Sequence, residues 1–174
     1  MEQCRIIVTT ECNLKCSYCL MENPEVRESI GDVPATMADI LSKNYDVYCL
    51  TGGEIFHNKK RLYSVLTKIR ERDMDAKIYL YTNGTLIDKE DIQRLRYVVD
   101  GINWGLHGAF FPQVQEKMKL VNQYIPVRIL RLDVYRDLHR IRDFAKRNGM
   151  TYRVVEKDRC DTIPEDRYIL NGDV

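Results

Sequence analysis

Residues 9–19 read TTECNLKCSYC and bring three cysteines, Cys12, Cys16 and Cys19, into one short segment behind the apolar, strand-like run 5–9. Thiolates are soft ligands that suit zinc or iron–sulfur clusters. A structural zinc site or an ordinary cluster takes four protein ligands, and no later pair of cysteines completes this set. The simplest prediction is a cluster with one iron left open, where a second molecule can bind and react.

Strand-like and helix-like patterns alternate along the chain. Short β-rich runs predict strands at 5–9, 46–51, 77–82, 101–106, 127–134 and 152–155. Helical spacing of apolar residues and capping signals predict helices at 35–43, 59–72, 88–98, 112–123 and 138–147. Because a β-α-β-α order favours a parallel sheet with helices outside, the sequence predicts an α/β fold whose units curl into a partial (β/α)6 barrel.

Length and composition bound the class of protein. The 174 residues suit one domain, and they fall short of the about 250 that a full eight-fold barrel needs. With 27 basic and 26 acidic residues, the chain has no net charge that would indicate nucleic acid or an anionic membrane as partner. We predict a core domain over residues 1–158 and a polar C-terminal tail over residues 159–174.

The cysteines and the hydropathy pattern also bear on location. No apolar run is long enough to cross a bilayer, and the first residues do not read as a signal peptide. Six cysteines in such a chain indicate reduced thiols or metal ligands and not disulfides, which favours a cytoplasmic protein. Cys4 and Cys49 lie in strand patterns and are expected to be small buried hydrophobic residues. Cys160, in the tail, has no assigned role.

Three segments together resemble a known superfamily. The spacing Cys-x3-Cys-x2-Cys after a first strand, with the aromatic Tyr18 before the last cysteine, resembles the radical S-adenosylmethionine superfamily. The segment TGGE at 51–54 resembles the superfamily's Gly-Gly-Glu segment, and YTNGT at 81–85 its Thr-Asn-Gly segment. The wording is nearest to the branch that holds the molybdopterin-precursor enzymes and the peptide maturases. That resemblance also implies a partial-barrel core.

The resemblance implies a specific chemistry. Cys12, Cys16 and Cys19 would hold a [4Fe-4S] cluster whose open iron binds S-adenosylmethionine. An external one-electron reductant, such as flavodoxin or ferredoxin, would drive cleavage to methionine and a 5′-deoxyadenosyl radical. This oxidoreductase-type reaction would abstract hydrogen from a small-molecule, nucleotide or peptide substrate. The protein would orient the cofactors and keep out solvent.

The resemblance also implies roles at the carboxyl ends of the strands, where reacting groups gather in parallel barrels. Gly52 and Gly53 would bind the amino group of S-adenosylmethionine through backbone oxygens, and Glu54 would brace that loop. The alternative is an ordinary turn. Tyr18 would lie near the adenine or serve loop packing. Asn83 would line the cofactor site or belong only to an Asn-Gly turn.

The fourth strand departs from the family. The chain has Gly105-Leu106-His107-Gly108 where the maturase branch often has Ser-Leu-Asp-Gly. His107 is therefore a candidate ribose contact, or a proton donor or acceptor, since histidine titrates near neutral pH. The alternative is a structural histidine at a strand end. His57 and His139 are interpreted as surface or helix residues.

Three arginines on the last predicted strands are candidates for substrate binding. Arg128, Arg131 or Arg153 could hold a carboxylate or phosphate of the substrate. Because side chains alternate along a strand, Arg128 and Arg131 cannot both point inward. The alternative is simple ion pairing with Asp133 or Glu156.

Two other functions stay open. The first is an activase that generates a glycyl radical on a partner protein; against it, Ile55 replaces the proline often found after Gly-Gly-Glu. The second, from a different class, is a non-catalytic metal or iron–sulfur binding module. For the cofactor itself, we predict that Gly53→Val weakens S-adenosylmethionine binding while the cluster stays intact, because a branched side chain would block a close approach.

Overall fold

A computed structural model describes residues 2–16, 19, 31–106, 111–132, 138–155, 165–172 and 174 of the chain. Its strands are β1 Gln3–Thr9, β2 Val33–Ala35, β3 Val47–Gly52, β4 Lys77–Thr82, β5 Gly101–Leu106, β6 Val127–Leu132, β7 Thr151–Val155 and β8 Asp166–Leu170. The helices within these residues are α1 Met37–Leu41, α2 Lys59–Arg72, α3 Lys89–Leu95, α4 Phe111–Asn122 and α5 Leu138–Arg147, and a 3₁₀ helix spans Ile55–Asn58.

The strands form one eight-stranded sheet in the order β2-β8-β1-β3-β4-β5-β6-β7. The pairs β1–β3, β1–β8, β2–β8, β5–β6 and β6–β7 are parallel. The six strands predicted from the sequence stand next to one another in chain order, with helices between them, so the predicted α/β class with a parallel sheet is confirmed. The sequence did not predict β2 and β8.

Strand β8 corrects the description of residues 159–174 as a tail. Residues 166–170 lie inside the sheet between β2 and β1, in a register that runs from Cys4 paired with Asp166 to Ile7 paired with Ile169. Alternation along DRYIL explains the strand, because Tyr168 and Leu170 are buried while Arg167 and Ile169 are less so. Five residues with polar neighbours gave too short a signal for the sequence to separate a strand from a tail.

The chain divides into two compact units. The first comprises Met1–Tyr79 and Pro164–Val174. Helix α2 buries Leu62, Val65, Leu66 and Ile69, a spacing that places all four side chains on one face of the helix. The side chain of Asn58 caps this helix by accepting a hydrogen bond from the Arg61 N–H at 3.1 Å. The helix therefore begins directly after the 3₁₀ turn that follows β3.

The second unit is Leu80–Ile163. Trp104 of β5 is fully buried in it, with Val127 and Ile129 of β6 also buried. The rings of Phe111 and Phe144, from α4 and α5, meet edge to face with centroids 5.1 Å apart. Helix α3 begins with a reciprocal capping box between Asp88 and Asp91. Each of these elements begins within two residues of its predicted first residue, because the capping and periodicity signals in the sequence are clear.

None of the helices that the described residues form has the length and apolar character needed to cross a membrane.

Candidate active site

The cysteine loop follows the carboxyl end of β1 in the first unit. Cys12, Cys16 and Cys19 are thiols of intermediate burial. The Leu14 N–H donates to the Cys12 sulfur at 3.4 Å, and the Cys19 N–H donates to the Cys16 carbonyl at 3.0 Å. Burial raises the pKa of the Cys12 thiol, and the charges of Glu54 and Cys19 raise it further.

The fit of a metal centre to this loop rests on donor chemistry. Among the residues that the structure describes, no three His, Cys, Asp or Glu side chains are arranged as a group that could hold a metal ion. The three sulfurs are thus not shown in a ligand geometry. The residue types still suit a cluster, because soft thiol donors in one partly exposed loop are the ligands that iron–sulfur chemistry requires.

The turn after β3 is hydrogen-bonded to the backbone of residues 9–11, which lead into the cysteine loop. The Gly53 N–H donates to the Thr9 carbonyl at 2.8 Å, and the Glu54 N–H donates to the Glu11 carbonyl at 2.7 Å. A Cβ atom at Gly53 would overlap the Glu11 carbonyl oxygen and lie 2.6 Å from that of Thr10. Glycine is therefore required here because the cysteine loop passes directly over the turn.

This contact corrects the prediction for Gly53→Val. A side chain at position 53 meets the loop that carries Cys12, so it would displace the cysteine loop itself. The expected variant with an intact cluster and weakened cofactor binding does not follow from the geometry. Gly52 is in the same situation, because a Cβ there would overlap the Thr9 carbonyl. The proposed backbone contacts of both glycines to S-adenosylmethionine stay predictions.

Glu54 lies entirely inside the protein, at 0% exposure. Its carboxylate accepts a hydrogen bond from the Phe56 N–H at 3.0 Å and so caps the 3₁₀ helix. Together with its backbone bond to Glu11, this makes Glu54 a brace between the turn after β3 and the cysteine loop. The sequence-based expectation that Glu54 braces this loop stays a prediction, which these two contacts support.

Two further side chains contact this region, His57, which is exposed in the 3₁₀ helix as expected, and Arg61. His57 Nδ1 lies 3.3 Å from the Glu11 carboxylate, next to Cys12. Arg61 of α2 donates to the carbonyls of Val8, Gly172 and Leu170, each at 2.7 Å. Arg61 therefore ties the carboxyl ends of β1 and β8 together. Its partners are distant backbone carbonyls, for which a sequence pattern gives no signal.

In the second unit, the segment with Asn83 is built as a turn. The Asn83 side-chain oxygen accepts hydrogen bonds from the Thr85 N–H at 2.9 Å and from its hydroxyl at 2.7 Å. Gly84 has φ +73°, and a Cβ atom there would overlap the Trp104 ring. Lys117 donates to the Thr85 carbonyl at 2.7 Å. These contacts support the turn interpretation, and a role of Asn83 in cofactor binding stays a prediction.

Of the remaining candidate residues, some lie within the residues that the structure describes and others do not. Cys4 and Cys49 are buried as predicted, and burial raises the pKa of Cys4. Arg128 and Arg153 are exposed. The candidates Tyr18 and His107 lie outside the described residues, as do Asp133, Glu156, Cys160 and the side chain of Arg131.

Comparison with known proteins agrees with the fold and the motifs. The chain belongs to the Radical SAM superfamily, a superfamily of enzymes, whose family model matches residues 6–145. This confirms the resemblance seen in the cysteine loop and in the glycine-rich turns.

Two relatives come from the maturase and cyclase groups that the motif wording indicated. The chain is 29% identical to the antilisterial bacteriocin subtilosin biosynthesis protein AlbA of Bacillus subtilis, over 80% of this chain and 35% of that protein. It is 27% identical to a probable GTP 3′,8-cyclase of Methanococcus vannielii, over 87% of this chain and 57% of that protein. The chain thus spans between about a third and somewhat over half of the length of these relatives.

Solved structures support the fold. The structure of anSMEcpe with bound AdoMet and the Kp18Cys peptide superposes with a TM-score of 0.61 at 20% identity, covering 88% of this chain and 51% of that chain. BtrN in complex with AdoMet and 2-DOIA superposes with a TM-score of 0.52 at 15% identity, covering 74% and 56%. At these identities the likeness bears on the fold alone.

Proposed function

We propose that this chain is the core of a radical S-adenosylmethionine enzyme, with Cys12, Cys16 and Cys19 as the ligands of a [4Fe-4S] cluster. When bound and reduced by an external one-electron donor, that cluster supplies the electron that cleaves S-adenosylmethionine to methionine and a 5′-deoxyadenosyl radical. The observation that carries the proposal is the cysteine loop itself, with its three thiols, at the carboxyl end of the first strand of a Radical SAM chain.

The chain's own part in the reaction is to hold and orient. Gly53 and Glu54 fix the backbone of residues 9–11 through the bonds to Thr9 and Glu11. Because Cys12 follows directly, its sulfur is placed by that support. Glu54 is buried and already bonded to the Phe56 N–H, so it acts on the loop and is not positioned as a proton donor to substrate.

The substrate is a small molecule, a nucleotide or a peptide from which hydrogen is abstracted. The names of the relatives support this range, because one acts in bacteriocin biosynthesis and another is a probable GTP cyclase. The chain covers only part of each relative, so the substrate itself belongs to the proposal.

The cluster is tested by anaerobic reconstitution of two variants. Replacement of Cys12, Cys16 and Cys19 by Ala should abolish iron–sulfur binding, whereas replacement of Cys4 and Cys49 by Ala should retain it in the folded protein. Iron and sulfide analysis, together with the electron paramagnetic resonance spectrum of the reduced protein, reads the result. A change in that spectrum on adding S-adenosylmethionine would support cofactor binding at the open iron. A full cluster in the first variant would contradict the ligand assignment.

A further inference from the structure

Two arginines share one face of the sheet in the second unit. The register pairs Arg128 of β6 with Thr151 of β7, and Leu130 of β6 with Arg153 of β7. Because side chains alternate along a strand and paired residues of neighbouring strands point the same way, Arg128 and Arg153 lie on the same face. Val127 and Ile129 lie on the opposite face and are 3% and 0% exposed. The two arginines therefore stand on the open side of these strands.

The guanidinium groups of Arg128 and Arg153 are neighbours, and none of the residues that the structure describes forms an ion pair with either of them. One strand spacing across and two residues along the strand separate their Cα atoms by about 8 Å. Both side chains are exposed, and the described part of the chain gives neither of them a hydrogen bond or an ion pair. In water two like charges at this spacing repel weakly, and an anion bound between them would replace that repulsion by attraction.

The first unit contains a similar pair that is neutralised from within. Arg5 of β1 and Arg167 of β8 are direct partners in the sheet register. Glu165 bridges them, at 2.6 Å from Arg5 and 3.2 Å from Arg167, and Asp32 lies 2.8 Å from Arg167. The Arg5 and Arg167 side chains are only 14% and 16% exposed. In this pair, the two arginines are neutralised by the buried carboxylates of Glu165 and Asp32.

We propose that Arg128 and Arg153 form a binding site for an oxyanion, a carboxylate or a phosphate, carried by the substrate. Guanidinium groups match both anions through paired N–H donors, and two of them can converge on one anion from adjacent strands. Only the assignment of the anion to the substrate depends on the proposed function. The site lies on the face of the sheet and not at the carboxyl ends of its strands, since Arg128 is the second residue of β6. It would therefore hold a part of the substrate remote from the reacting atom.

The site is tested with pyrophosphate and with succinate as probes, by calorimetry on the reconstituted protein at low ionic strength. Tighter binding of one probe distinguishes a phosphate site from a carboxylate site. Arg128→Gln and Arg153→Gln should each weaken that binding about 10-fold, the scale of a charge-assisted hydrogen bond. The control is Arg142→Gln, which removes one positive charge from an exposed position of α5 and should leave the affinity unchanged. Circular dichroism confirms that each variant is folded.

Two results would overturn the site. One is equal affinity in the arginine variants, the control and the wild type. The other is anion binding that appears only in a variant with Asp133→Asn and Glu156→Gln. That result would mean that these carboxylates neutralise the two arginines in the wild-type protein. Formation of 5′-deoxyadenosine by the wild-type protein is measured separately, so failure of the anion site and failure of the proposed function remain distinguishable.

Discussion

The turn after β3 and the turn after β4 carry similar glycine-containing motifs, but different groups pack against their glycines. Gly53 makes room for the backbone of the cysteine loop, where a Cβ atom would meet the carbonyls of Glu11 and Thr10. Gly84 makes room for the buried Trp104 ring and has a positive φ of +73°. A glycine in a motif thus marks a close approach, but only the structure tells which group approaches. The two turns should therefore fail in different ways when a methyl group is added.

The largest loss of stability is expected for Gly84→Ala. The new Cβ would overlap the Trp104 ring, which is fully buried, and the alanine would be forced into the left-handed region. Overpacking costs about 1–3 kcal/mol and the backbone conformation about 1 kcal/mol more. Urea denaturation should show a lowering of the free energy of unfolding by about 2–4 kcal/mol. Gly105→Ala is the matched control, because its Cβ would meet only the Thr82 carbonyl at 3.6 Å.

Gly53→Ala should act on the cluster more than on the fold. Its Cβ would push the Glu11 carbonyl away and shift the loop that leads into Cys12. We expect a folded protein that takes up less iron per protein than the wild type after reconstitution, because the loop that carries the ligand Cys12 is displaced. Iron per protein, compared with Gly105→Ala, measures this effect. If Gly53→Ala takes up as much iron as the wild type, then Gly53 is not needed to place the cysteine loop, and the proposed difference between the two turns is wrong.

Arg61→Ala tests the link between the carboxyl ends of β1 and β8. Its guanidinium donates to the Val8, Leu170 and Gly172 carbonyls at 2.7 Å, so the variant leaves three acceptors without their donor. A hydrogen bond to a charged group contributes about 1.5–3 kcal/mol, and we expect a loss of about 2 kcal/mol in unfolding free energy because water can replace part of it. Hydrogen exchange should be faster at the end of β8. Unchanged exchange there would show that Arg61 does not hold that strand.

The smallest effect is expected from Asp166, at the amino end of β8 and away from both turns. Hydrogen bonds from Tyr45 and Lys43 lower the pKa of its carboxyl below the usual 3.8. Because the folded pKa is depressed, the stabilisation is present above pH 3.8 and is lost as the pH falls through the folded value. Asp166→Asn should therefore be less stable than the wild type at neutral pH and equal to it under strongly acid conditions. A stability difference independent of pH would contradict this.

The sequence predicted the helices and strands well where the pattern of apolar residues extends over many positions or where clear turn or capping residues flank the element. Strands β4 and β5 and helices α2 and α5 have the predicted bounds. The short edge strand β2, with Pro34 at its centre, gave no strand signal because proline is unfavourable in strands. Strand β8 was missed because it pairs with a segment more than 150 positions away in the chain, which no local pattern records.

The candidate site was predicted in its residues more than in its contacts. Cys12, Gly53 and Glu54 are candidates named from the sequence, and the structure adds the hydrogen bonds from the Gly53 and Glu54 N–H groups to the residues that lead into Cys12. The partner of Gly53 could not be predicted, because the motif marks a close approach without naming the group. Arg61 could not be predicted either, since its acceptors are main-chain carbonyls that every residue has.

The most direct test of the central claim is the amount of 5′-deoxyadenosine formed by reconstituted protein with S-adenosylmethionine and dithionite under anaerobic conditions. We predict formation by the wild type and by the variant with Ala at Cys4 and Cys49, and none above background by the variant with Ala at Cys12, Cys16 and Cys19. Equal formation by that last variant, or none by a wild-type protein that carries a full cluster, would contradict the account.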